Sequence, residues 1–259
     1  MNKETGNDGT VGKALDILDL VASYDRPVRF SELQEKSPHP KATLYRFVQT
    51  LTNQNMLVHS PETGCYTLGP RLVRLAHSAW KNASLAPLAR QEIETLCSAV
   101  NETVHLAQID NANVIFVDKV QANQNIQTLA QAGITAPAYC TGVGKAMMAF
   151  MSPKRLEIVL QQQSYFGFTT NTHTSAASVL QELDKIRAQG VAFDREEHEN
   201  GIISIAAPIL MDSGRVIGAV SIATSTSRTT LDGLNAYKDN LLAAAERIGA
   251  AASTWQFPS

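Results

Sequence analysis

The sequence predicts an α+β protein in two parts: three short helices closed by a β-hairpin, then a larger unit of strands and helices built on a mixed sheet. Three observations carry this. Apolar residues recur at helical spacing in the first fifty residues; two short β-prone runs then flank a Pro/Gly turn; and from about residue 83 strand-like runs alternate with amphipathic stretches.

From Val11 the apolar positions Val11, Ala14, Leu15, Leu18, Val21 and Ala22 form one face of a helix, which Asp25-Arg26-Pro27 ends. A short second helix is expected to start near Ser31, because Ser31-Glu32-Leu33-Gln34 has the form of a capping box. Ser37-Pro38-His39-Pro40 is a turn: both prolines oppose a continuing helix, and Pro40 suits the first turn of the next one. In that third helix Leu44, Phe47, Val48 and Leu51 make the buried stripe. The opposite face carries Ala42, Tyr45, Arg46, Gln49 and Asn53, with Lys41 at its N-terminal edge. A small residue, an aromatic hydroxyl, a guanidinium and amides can enter a major groove, contact base edges and clamp phosphate. A solvated face more commonly carries Glu/Lys pairs, and this one has none, although for the helix in isolation that plainer reading stays open.

Met56–Ser60 and Cys65–Leu68, joined by Pro61-Glu62-Thr63-Gly64, read as a hairpin. Three helices followed by a hairpin is the order of a winged helix-turn-helix, placed over residues 1–69. The candidate DNA contacts are Lys41, Ala42, Thr43, Tyr45, Arg46 and Gln49, with His59 on the hairpin. Leu72, Leu75, Ala76 and Ala79 then mark an amphipathic helix over 70–82, read as a connector.

The second unit spans 83–259. A helix around 86–100 precedes a hairpin of Thr103–Ile109 and Val114–Val117, turning at Asp110-Asn111-Ala112-Asn113. Pro137 leads into Thr141-Gly142-Val143-Gly144-Lys145 and a helix over Ala146–Met151; further helices cover about 153–162 and 176–189. Strands are expected at Val191–Asp194, Ile202–Ile209 and Val216–Ala223, and one long helix, 231–252, closes the chain. A mixed sheet with helices, sheltering a pocket, is the expected architecture.

The net charge of −2 conceals a partition. Residues 26–81 hold eight Lys/Arg against three Asp/Glu, whereas 82–259 hold twelve against sixteen. A basic segment on an acidic body suits a phosphate-binding module attached to something else. The three cysteines, Cys65, Cys97 and Cys140, lie far apart without a CxxC pair, which favours a reducing compartment and opposes a structural zinc site. The N-terminus lacks an apolar signal region and no apolar run approaches the roughly 18 residues of a membrane span, so a cytoplasmic location and no membrane contact are expected.

Gly142-Val143-Gly144-Lys145 invites a nucleotide reading, which fails because a GxxxxGK loop needs glycine where Tyr139 stands. What remains is a Gly-rich helix start, whose free N–H groups suit a carboxylate, or glycines that merely allow tight packing. Asp194-Arg195-Glu196-Glu197-His198-Glu199 is a charge run of the kind usually found in a solvated loop, and no metal-ligand spacing accompanies it. Asp194 stands apart because it follows the apolar Val191-Ala192-Phe193; it either accepts hydrogen bonds from a ligand or caps a loop. Ser204 and Ser221 sit in apolar strands, where a hydroxyl must find a ligand or a backbone carbonyl or lose roughly 1–3 kcal/mol. No nucleophilic triad is visible: GxSxG is absent, and His105 and His173 have no evident partners. Neither metal nor cofactor is expected.

Over nearly its whole length the chain resembles the IclR family of bacterial regulators. The stretches that carry the likeness are KATLYRFVQTL (41–51), TGVGKAMMAF (141–150), GVAFDREEHENGIISIAAPI (190–209) and GRVIGAVSIA (214–223). Within the family it looks closest to the repressors of sugar-acid (2-keto-3-deoxygluconate) catabolism. The resemblance implies a winged-helix DNA reader, a connector helix and a GAF-like effector domain, assembled as dimers and often as pairs of dimers. It places the effector site at Gly142, Val143, Asp194, Ser204 and Ser221. Some family members have cysteine where this chain has Ser204, and the second serine that can follow Ser221 by two positions is Ala223 here. The function expected is control of a double-stranded DNA operator by a small carboxylate. Two other readings compete: an enzyme acting on a small organic acid with an accessory nucleic-acid-binding domain, and a sensor that works only through protein partners.

Overall fold

The computed structural model describes residues 9–122 and 129–253, the side chains of 80–83 excepted. The fold is α+β, and the chain divides into two compact units, Met1–Asn82 and Ala83–Ser259.

The first unit runs α1 (Gly9–Ala22), β1 (Val28–Arg29), α2 (Phe30–Lys36), α3 (Lys41–Asn53), β2 (Leu57–Ser60), β3 (Cys65–Leu68) and α4 (Pro70–Ala83). The α3 stripe of Leu44, Phe47, Val48 and Leu51 is buried as its spacing requires, and it packs with Leu33, Leu57 and Tyr66. In α1 the buried face is rotated: Ile17, Leu18 and Val21 are inside, while Val11, Leu15 and Ala22 are exposed. The cap of α2 also differs from expectation. The helix starts at Phe30, and Glu32, not Gln34, closes the box by accepting the Arg29 backbone N–H at 3.0 Å. β1 adds a third strand to the hairpin, in the order β1-β3-β2. A two-residue strand leaves almost no periodicity to read.

The second unit comprises α5 (Ala86–Val100), β4 (Thr103–Asp110), β5 (Asn113–Val120), β6 (Thr135–Pro137), α6 (Gly142–Ala149), α7 (Pro153–Gln161), α8 (Ala176–Gln189), β7 (Ala192–Arg195), β8 (Ile202–Leu210), β9 (Val216–Ser225), α9 (Leu231–Asn235) and α10 (Lys238–Ser253). Six strands form one sheet, in the order β6-β5-β4-β9-β8-β7. Every pairing in it is antiparallel, so the expected mixed sheet is corrected. β9 comes back beside β4 only after the α6–α8 excursion, and it runs opposite to β4. The expected long C-terminal helix is two helices: the Tyr237 N–H bonds the Leu234 carbonyl three residues back, and the chain turns before α10. α6 begins at Gly142, four residues before its expected start, so the glycines form its first turn.

Side chains alternate across this sheet, apart from the irregularities beside Leu106 and Ile209. One face bears Val104, Leu106, Ile203, Ile205, Ile209, Val220 and Ile222, which pack with α5 and α10. The other bears Ala107, Ala192, Ala206 and Ala219 beneath α6 and α8. Thr141 caps α6, accepting the Gly144 N–H at 3.3 Å and donating to the Pro137 carbonyl at 3.1 Å.

A Cβ on Gly144 would overlap the carbonyl oxygen and Cα of Ala138, which are backbone atoms that cannot swing away. Gly144→Ala is therefore expected to cost about 1–3 kcal/mol of stability, seen as a lowered urea midpoint by circular dichroism; an unchanged midpoint would show that this contact relaxes freely.

Candidate functional site

Helix α3 presents Lys41, Ala42, Tyr45 and Arg46 to solvent, with Thr43 and Gln49 half-buried beside them. Neither Lys41 nor Arg46 is in an ion pair among the described residues, so both charges are unspent. Arg46 lies over the Phe47 ring, 5.3 Å from its centroid, and Tyr45 meets Phe30 edge-on at 5.8 Å. His59 is exposed on β2, its ring 4.7 Å from that of Tyr66.

In the second unit a cavity of about 70 Å³ opens between α6 and the small-residue face of the sheet, room for a handful of waters or a small acid. Strand register builds it. His105 pairs with Ser221, which pairs with Ala206; one row along, Ala223 pairs with Ser204 and Ser204 with Asp194. The structure brings Gly142 and Val143 of α6 and Asp194, Ser204 and Ser221 of the sheet together around one cavity. Gly142 is there for space: a Cβ on it would lie 2.8 Å from the Ser204 hydroxyl and 3.6 Å from the Asp194 Cβ. The amide N–H groups of Gly142 and Val143 have no acceptor among the described residues, and the Ser204 and Ser221 hydroxyls, 7% and 3% exposed, have no partner there. Donors and hydroxyls left open in this way fit an acceptor-rich guest.

His105 and Phe116 also line the cavity, their rings 5.5 Å apart. The sequence offered His105 only as a triad candidate and gave no sign of Phe116, because one lies mid-strand and the other across the hairpin. Burial, aided by Lys119, pushes the His105 imidazole down to about 3, so it is neutral.

The charge run after β7 is not a solvated loop. Glu196 adopts a left-handed conformation (φ 61°), which turns Glu197 inward, where it is 1% exposed. There it pairs with Lys145, itself fully buried, which also lies 4.0 Å from Glu182. The signal for this pair was Lys145 itself, a lone cation in an otherwise apolar helix. Asp194 caps the loop, its Oδ1 accepting the Glu197 N–H at 2.8 Å, and its side chain also lines the cavity. Burial and the neighbouring Glu197 carboxylate push Asp194 up to about 7. The 163–175 segment is stitched over this turn, with Thr169, Asn171 and Thr172 donating to the carbonyls of Glu196, Arg195 and Glu197.

Among the described residues no helix is long and apolar enough to cross a membrane. A family model for the IclR helix-turn-helix domain matches residues 10–61, and one for the bacterial transcriptional regulator IclR C-terminal region matches residues 77–250. The chain is 29% identical over 258 residues to the HTH-type transcriptional regulator KdgR of Escherichia coli (strain K12), covering 100% of this chain and 98% of that one. The crystal structure of the Thermotoga maritima IclR superposes with a TM-score of 0.77 at 28% identity, over 94% of this chain and 98% of that one. An IclR homolog from Microbacterium hydrocarbonoxydans, crystallised in complex with 4-hydroxybenzoate, shares the fold at a TM-score of 0.79 and 20% identity, over 94% and 98% of the two chains.

The position of Asp194 makes stability depend on pH. An unfolded aspartate titrates near 3.8, so between about pH 4 and 7 the folded protein keeps a proton the unfolded chain has lost. Stability from this group is complete below pH 4 and is lost as the pH rises through 7. Asp194→Asn keeps an acceptor for the Glu197 N–H and should be near neutral at pH 4 but stabilising by roughly 2–4 kcal/mol at pH 8, as read from urea titrations. An equal effect at both pH values would show that the buried carboxyl ionises normally.

Proposed function

This chain belongs to the IclR family of bacterial transcriptional regulators, and from that membership we propose that it is a repressor whose operator affinity is set by a small carboxylic acid held beneath α6. As a family member it is a DNA-binding regulator and not an enzyme; the curated relatives are regulators too. The observation that carries the effector reading is the meeting of two open amide donors, Gly142 and Val143, with Ser204, Ser221 and Asp194 in one cavity. The amides suit a carboxylate at a helix start, and the hydroxyls suit the remaining oxygens of a hydroxy- or keto-acid. That a homolog of the same fold was crystallised with 4-hydroxybenzoate, itself a carboxylic acid, supports the choice of class. Phe116 and His105 on the wall offer ring faces and edges to an aromatic acid as well.

In this proposal Lys41, Ala42, Thr43, Tyr45, Arg46 and Gln49 face the major groove, and His59 on the hairpin meets the backbone. Residues 1–69 read the operator, 83–259 hold the effector, and the helix over 70–82 links them in the chain and transmits the signal. One winged helix reads too few base pairs to find an operator among genomic competitors, so the working form is a dimer or a pair of dimers, acting in the cytoplasm.

Two measurements test the reading. Calorimetry with a panel of sugar acids, aromatic acids and neutral sugars should give an acid as the tightest binder, and that acid should shift operator affinity by about 5–150-fold. A neutral sugar binding best would sink the carboxylate assignment. Arg46→Ala should weaken operator binding by about 1–3 kcal/mol at fixed salt without unfolding the protein; an unchanged gel-shift titration would remove Arg46 from the DNA face.

A further inference from the structure

Asp194 and Glu199 line the cavity, and neither lysine nor arginine does so among the described residues. For a site that takes an anion this is an adverse balance, and the nearby cations do not redress it. Lys145 is enclosed with Glu197 and Glu182, and Glu182 also holds Arg195 at 2.6 Å. Lys119 faces Glu199, whose Oε2 accepts the Leu129 N–H at 3.2 Å. Burial holds the two lining histidines, His105 and His198, below their ordinary values, so neither brings a charge at neutral pH. The positive potential offered to a guest is therefore the first turn of α6, worth about half an elementary charge.

Asp194 stands opposite that turn. Its Oδ1 is occupied by the Glu197 N–H, whereas Oδ2 has no partner among the described residues. A carboxylate seated on the Gly142 and Val143 amides would come up against this oxygen. Two carboxylates at one site cannot both stay ionised without a large penalty, and a shared proton removes it. We propose that the cavity takes a singly charged carboxylic acid together with one proton, carried on Asp194, and rejects dicarboxylic and phosphorylated acids. The proposal rests on the cavity being the effector site and adds the charge of the ligand and the proton.

The protonated Oδ2 donates to one oxygen of the ligand carboxylate while the α6 amides hold the other. Ser204 and Ser221 meet its hydroxyl or keto group, and a second negative charge would confront Glu199. The ionisable groups around Asp194 are few. Cys140 precedes α6, with its thiol pushed up by burial, Asp194 and Glu197; Lys145 is on α6; Glu197 and Glu199 follow β7; His105 is on β4. β8 and β9 bring no ionisable group to the cavity, and Glu182 and His173 lie beyond, against Lys145 and Glu197. Burial already sets Asp194 near 7, so the ligand completes a protonation that is half made at neutrality.

The test is calorimetry on the full-length protein with gluconate and lactate, and with 6-phosphogluconate and malate as their more highly charged counterparts. Each is titrated at pH 6 and pH 8, in pairs of buffers that differ in ionisation enthalpy. At pH 8 the better monoacid should bind with uptake of close to one proton and about tenfold more weakly than at pH 6, where uptake is near zero. Its counterpart should bind at least tenfold more weakly than the monoacid at either pH. In Asp194→Asn the uptake should vanish and the affinity should not vary between the two pH values. A monoacid that binds at pH 8 without proton uptake, or a counterpart that binds equally well, overturns the proposal and leaves the effector assignment standing. If neither these monoacids nor any acid of the wider panel binds at pH 6, the effector assignment and the proposal fall together.

Discussion

Four neighbouring strands, β4, β9, β8 and β7, must each send alternate side chains to opposite faces, and the architecture of the second unit follows from what they send. To one face go branched aliphatics that seal against α5 and α10. To the other go mostly alanines, with two serines, a histidine and an aspartate, and these leave space under α6 unfilled. Packing on the first face supplies the burial that stabilises the unit, at about 25 cal/mol per Å². Shortage of bulk on the second leaves a hollow, and the same shortage exposes the polar groups that line it. Cavity and chemistry have a single origin in the choice of residues at every second position.

The hollow persists because α6 is fixed at both ends of its first turn. Thr141 ties its start to Pro137, and Gly144 lies against the Ala138 backbone. Lys145 then pins the helix to Glu197, and the pair is dry. An ion pair of this kind adds little net stability, because two desolvation penalties offset the attraction. Its effect is positional: the Glu197 carboxylate cannot leave without stranding Lys145, so the turn that follows Asp194 keeps one conformation. The donors from Thr169, Asn171 and Thr172 hold the same turn from outside.

Much of this was readable in the chain. The α3 stripe appeared at full strength because helical periodicity and burial coincide there, and so did the β4–β5 hairpin. The five cavity residues at Gly142, Val143, Asp194, Ser204 and Ser221 were named from family resemblance and local pattern; strand register brings the last three together, and the packing of α6 on the sheet brings the two helix residues to them. The failures share a cause in long-range geometry. Val11 and Leu15 satisfy the α1 pattern as well as Ile17 does, and only packing with α3 chooses between them. Glu197 looked solvated because nothing local announces the left-handed turn at Glu196. Strand direction in the sheet was likewise invisible, since an apolar run reads the same in either direction.

The gap between Gly142 and Ser204 has a consequence for how such a regulator diversifies. The hydroxyl of one lies 2.8 Å from where a methyl on the other would stand, although they are 62 positions apart in the chain. Bulk can pass from strand to helix by exchanging the two small residues, with total volume conserved and the floor of the cavity reshaped. On the effector reading proposed above, a lineage changes the metabolite it answers to by drifting through pairs of single substitutions, with the exposed face of α3 untouched.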